Sequence, residues 1–167
     1  LKLVIIAVVP MLCALGITFG FLGLIEDYVV IAPQIVLVAP ILVAFTVGDA
    51  VFIANDFSER KEEDIRERMV ASVKFATVPI LLTSLTTSLG FVSLMLGTLD
   101  PIFTLGLALA FGVMVTWVLS ITMAPCLIVL LNYKKKYELK GWRGVGKIPI
   151  NHRKKIIGIA VLFLIIS

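Results

Sequence analysis

One carboxylate dominates the chemistry this chain can offer. Asp49 lies within Ala44-Phe45-Thr46-Val47-Gly48-Asp49-Ala50-Val51-Phe52-Ile53, and no other residue from Val29 to Asn55 is formally charged. An ionisable group at the centre of a membrane helix costs roughly 2.5–3.5 kcal/mol on insertion scales, so such a group marks a functional position by default. Asp49 precedes the next charge, Asp56, by about 10 Å of helix, which eases that cost. The second chemical feature is a run of hydroxyls, Thr83-Ser84-Leu85-Thr86-Thr87-Ser88, inside another apolar stretch. Hydroxyls there bridge helices or line a wet path for protons. Cys13 and Cys126 lie in apolar segments without Cys/His spacing for a metal, and His152 falls in a basic loop. Neither a metal nor a cofactor is expected.

The elements that hold these groups are membrane spans. Of 167 residues, 60% are hydrophobic and 16% charged, with mean hydropathy +1.10, against about 45–50% and about 25% in soluble domains. The net charge of +4 does not indicate nucleic acid, because all fifteen Lys and Arg fall at Lys2, in 60–74 and in 134–155. The intervening loops carry Glu26, Asp27 and Asp100. Basic loops alternating with spans is the positive-inside pattern, which places loops 56–74 and 132–155 in the cytoplasm.

The fold expected is all-α and polytopic. Spans of about 20 residues are read at about 3–25, 29–55, 75–97 and 102–131, with a surface helix at about 58–73 on the cytoplasmic face. That helix rests on Ile65, Met69, Val70 and Val73 sharing one face, with Asp56, Ser58 and Glu59 as caps. Pro33 and Pro40 are expected to kink or unwind the outer half of the second span. Residues 132–155 read as a basic linker and 156–167 as the start of a further span. Leu1 in place of Met and the apolar run after residue 155 read as the cut ends of a longer chain. Helical spacing puts Phe45, Thr46, Phe52 and Ile53 on the Asp49 face, and that face is expected to point into the bundle. Gly16/Gly20, Gly48, Gly90, Gly106 and Gly112 are positions where helices could approach closely.

Three local patterns together resemble the RND superfamily of membrane transporters, in particular the MMPL-type exporters. They are Val47-Gly48-Asp49-Ala50-Val51-Phe52, then Pro79-Ile80-Leu81-Leu82-Thr83-Ser84-Leu85-Thr86-Thr87-Ser88-Leu89-Gly90-Phe91-Val92-Ser93-Leu94, then Pro101-Ile102-Phe103-Thr104-Leu105-Gly106. The resemblance covers roughly residues 1–131, a region similar to the sterol-sensing-like part of Patched and Niemann-Pick type proteins. It implies the third to sixth spans of a twelve-span transporter in the cell (inner or plasma) membrane, moving lipids or other hydrophobic compounds at the expense of proton flux. Asp49 matches the proton-carrying carboxylate, with Thr83, Thr86 and Thr87 as relay hydroxyls. Such a group changes charge as its surroundings change and can bias two helix packings. Many relatives carry a second acidic, polar or aromatic residue beside the Asp, where this chain has Gly48 and Ala50, and Phe52 stands where a His is frequent.

The partners implied are the bilayer, a lipid-like substrate and protons, with a homo-oligomer or accessory proteins left open. The alternative is a sterol- or lipid-sensing, or accessory, module without pump activity. An enzyme is not expected: aspartyl intramembrane proteases need Gly-x-Gly-Asp and a second intramembrane acid, whereas position 46 is Thr46 and no other span contains an acid.

Overall fold

The computed structural model describes residues 2–30, 32–60 and 64–131. They form α1 (Lys2–Leu24), a 3-10 turn (Pro33–Leu37), α2 (Val38–Glu59), α3 (Ile65–Leu94) and α4 (Asp100–Leu130). There is no strand among the described residues. At 1.5 Å per residue the α-helices run from about 33 to about 46 Å, and each is long and apolar enough to cross a membrane. The all-α polytopic reading therefore holds.

The core is built from small residues spaced by four. α4 buries every fourth residue from Thr104 to Ile128, and α1 does so from Ile6 to Leu22. α2 buries Val38, Leu42, Thr46, Ala50 and Ala54, and α3 buries Ser72, Ala76, Ile80 and Ser84. Large apolar side chains such as Val4, Leu12, Leu82 and Leu89 point outward. In lipid nothing drives Leu inward, so helices associate through close packing of small side chains. α4 is central and packs on each of the other three helices.

Three buried threonines in this core bond to their own helix. Thr18, Thr46 and Thr116 each donate to the carbonyl four residues earlier at 2.8 Å.

Prolines sit where the backbone tolerates them. Pro33 opens the 3-10 turn, and Pro40 lies in the first turn of α2, where its missing N–H has no intrahelical partner to lose. Pro10, Pro79 and Pro125 are interior to α1, α3 and α4.

The separate surface helix at 58–73 is not present. α2 continues to Glu59, and α3 starts at Ile65 and runs unbroken through Phe75 to Leu94. No Gly or Pro between Val73 and Phe75 ends the helix. Three of its four apolar residues pack on neighbouring helices, Met69 buried in a cluster with Ile53, Phe57 and Ile128 and flanked by Ile65 and Val73, whereas Val70 points outward. Asp64, rather than Asp56 or Ser58, caps α3, accepting from Arg66 N at 3.1 Å. Ser58 Oγ donates to Asn55 O within α2, and Asp56 pairs with Arg60 at 2.6 Å. Two cation–π contacts cross the connection, Arg68 over Phe57 at 4.6 Å and Arg60 over Phe75 at 5.7 Å. The expected linker 132–155 and the start of a further span at 156–167 lie outside the described residues.

Candidate functional site

Asp49 occupies the side of α2 that turns from the buried seam toward α3. Its neighbours Thr46, Ala50 and Ile53 are fully buried, whereas Val47 and Phe52 are exposed and Asp49 itself is half-buried. The expectation that its whole face points into the bundle therefore needs correction within the described chain. Thr46 and Ile53 point inward, Phe52 is 41% exposed, and Asp49 sits on the boundary.

A pocket of about 290 Å³ opens at this boundary, lined by Ala44, Phe45, Gly48, Asp49 and Thr83. α2 supplies the carboxylate and α3 a hydroxyl. Gly48 shapes the opening by omission, since a Cβ there would meet no heavy atom within 4 Å. Thr83 Oγ1 donates to Ile80 O at 2.9 Å, and its oxygen keeps acceptor capacity toward the pocket. Of the residues assigned to a relay, Asp49 and Thr83 thus share a pocket. Thr86 lies three residues further along α3, exposed, and donates to Leu82 O at 2.8 Å and Thr83 O at 3.0 Å. Thr87 is half-buried and does not line the pocket.

Two serines of α3 tie it to neighbouring helices. Ser88 Oγ donates to Ala110 O of α4 at 3.1 Å, and Ser72 Oγ to Ile53 O of α2 at 3.3 Å. Ser93 bonds back to Gly90 O at 2.6 Å.

The glycines divide in two. At Gly106 a Cβ would stand 2.7 Å from Phe91 O and 3.0 Å from Leu94 Cβ, so α3 and α4 meet backbone to backbone. At Gly112 it would meet Leu42 Cδ1 at 2.8 Å and Thr18 Oγ1 at 3.1 Å, where α1, α2 and α4 converge. Gly16, Gly20, Gly48 and Gly90 have open space at the Cβ position, so no described element packs closely against them.

One group near Asp49 was not singled out from the sequence. Ser120 of α4 is fully buried, on the helix that meets α2 where Ala50 and Ala124 share a cluster. Its Oγ makes no hydrogen bond in this conformation. Its legible signal is the spacing Gly112, Thr116, Ser120, Ala124, a polar position on the buried stripe of α4.

No charged side chain opposes Asp49 within the spans. Among the described residues α3 has none between Lys74 and Leu94, α4 none after Asp100, and α1 none after Lys2. The carboxylate faces neutral hydroxyls, a setting suited to gaining and losing a proton rather than to a permanent ion pair. Among the described residues no group of three ligating side chains could hold a metal ion, and Cys13 and Cys126 are free thiols.

No curated protein and no solved structure matches the sequence. The MMPL family matches it over residues 1–151, spanning all four helices and the Asp49 site. The chain belongs to the MMPL family, within the RND superfamily of membrane transporters.

Proposed function

We propose that these helices are the transmembrane part of a proton-motive-force-driven exporter of lipids or other hydrophobic compounds, with Asp49 as the group that takes up and releases the proton. The reading rests on one observation. The sole charged side chain in the middle of the spans lines a pocket between α2 and α3 with the Thr83 hydroxyl, and the other lining residues, Ala44, Phe45 and Gly48, carry no charge. A carboxylate without a fixed counter-ion changes charge when water reaches it, and the change alters which helix contacts are favourable. Thr83 is the nearest relay hydroxyl, with Thr86 and Thr87 continuing along α3. The basic 56–74 and 132–155 segments face the cytoplasm in this arrangement, in the cell (inner or plasma) membrane.

The direct test is Asp49→Asn in the full chain. Export of hydrophobic compounds is lost while expression and membrane insertion are retained. Export at the wild-type level contradicts the relay.

A second reading, a lipid-sensing module without pump activity, draws on a separate feature. An apolar groove of about 300 Å³ between α1 and α4 is lined by Ile17, Met114, Val115, Val118 and Leu119, a surface suited to a hydrocarbon chain. That reading requires Asp49→Asn to leave function intact.

A further inference from the structure

We infer that Ser120 is the positioning residue for Asp49, a hydroxyl on α4 that donates to the carboxylate when it is charged and thereby draws α2 and α4 together. The functional meaning of this pair rests on the relay reading above; the pair itself does not.

Three observations carry it. Ser120 is 0% exposed, yet its Oγ has no hydrogen bond. A buried hydroxyl without a partner is unfavourable by about 1–3 kcal/mol, and a serine in a helix can avoid this by bonding to the carbonyl four residues earlier. Thr18, Thr46 and Thr116 do so here, but Ser120 does not. Ala50, beside Asp49, and Ala124, one turn from Ser120, belong to one buried cluster, so α2 and α4 meet at this level and Asp49 is the carboxylate on the facing helix.

The second acceptor open to Ser120 is the Thr116 carbonyl. Donation to Asp49 is strong when the acceptor is a carboxylate and weaker when it is a neutral acid. Protonation of Asp49 therefore releases the hydroxyl toward its own helix, and deprotonation recovers it. α4 has slack for this exchange, because Pro125 deprives the Ile121 carbonyl, beside Ser120, of its helical donor. No other ionisable group competes nearby. Among the described residues, Asp56 of α2 is paired with Arg60, α3 has its nearest charge at Lys74, α4 carries only the Cys126 thiol after Asp100, and α1 only Cys13 after Lys2.

The test is infrared spectroscopy of the full chain in phospholipid vesicles across a pH series. The Asp49 bands are those lost in Asp49→Asn. Ser120→Ala is expected to shift these bands and to move their titration midpoint by about one pH unit, the equivalent of one charge-assisted hydrogen bond, while Ser120→Thr restores both. Should the alanine variant fail to assemble, Ser120→Cys keeps the volume with a weak donor and gives the same displacement. Asp49 bands and midpoint unchanged in Ser120→Ala or Ser120→Cys overturn the pairing, even if Asp49→Asn abolishes export. Displaced bands together with undiminished export by Asp49→Asn uphold the pairing and remove the relay.

Discussion

Two seams of the bundle are built on opposite terms. Where α1, α2 and α4 converge at Gly112, space is closed: a Cβ there would strike Leu42 and Thr18, and Thr18, Thr46 and Thr116 satisfy themselves on their own backbones. Where α2 turns toward α3 at Asp49, space is open. A Cβ on Gly48 would have no neighbour within 4 Å, and a pocket of about 290 Å³ is lined by Asp49 of α2 and Thr83 of α3. The closed seam holds the helices; the open one can accept a change of charge or a water molecule without breaking them.

The contrast can be broken most decisively at Asp49. Asp49→Asn removes the one carboxylate that lines the pocket among the described residues, so on the proposed reading export in cells is expected to fall to background while melting of the detergent-purified protein changes little. Gly106→Ala tests the closed side. The added methyl meets a backbone oxygen that cannot swing aside, and the melting temperature should fall by an amount equivalent to about 1–3 kcal/mol. Gly112→Ala meets the movable end of Leu42, so its loss is smaller, about 1 kcal/mol by the same measurement. Arg68→Gln removes the cation–π contact on Phe57 and should cost about 0.5–1 kcal/mol. Gly48→Ala has open space at the Cβ and should leave stability unchanged or raise it by up to about 1 kcal/mol. A large destabilisation by Gly48→Ala would show that the open seam is closed in the working protein.

Much of this architecture was legible because membrane physics is legible. Four long apolar stretches and an alternating charge pattern are enough to read an all-α polytopic chain, and Asp49 stands out because nothing else in its span is charged. Three features were not. Amphipathic periodicity in Ile65, Met69, Val70 and Val73 looks the same whether the partner is a membrane surface or another helix, and here Met69 packs on Phe57 and Ile53. Glycine counts do not say which side of a helix is occupied: Gly106 and Gly112 meet neighbours, Gly48 and Gly90 do not. Ser120 is a single hydroxyl in an apolar helix, and only its place on a stripe of spacing four, together with the helix opposite, gives it significance.

The central claim is that Asp49 carries protons across this bundle. It is tested most directly by reconstituting the full chain in vesicles with a trapped pH-sensitive dye, imposing a pH gradient, and comparing its decay for wild type and Asp49→Asn. Faster decay for wild type than for empty vesicles, with the Asn variant no faster than empty, is the predicted result. Equal decay for the two proteins, both above empty vesicles, would contradict it.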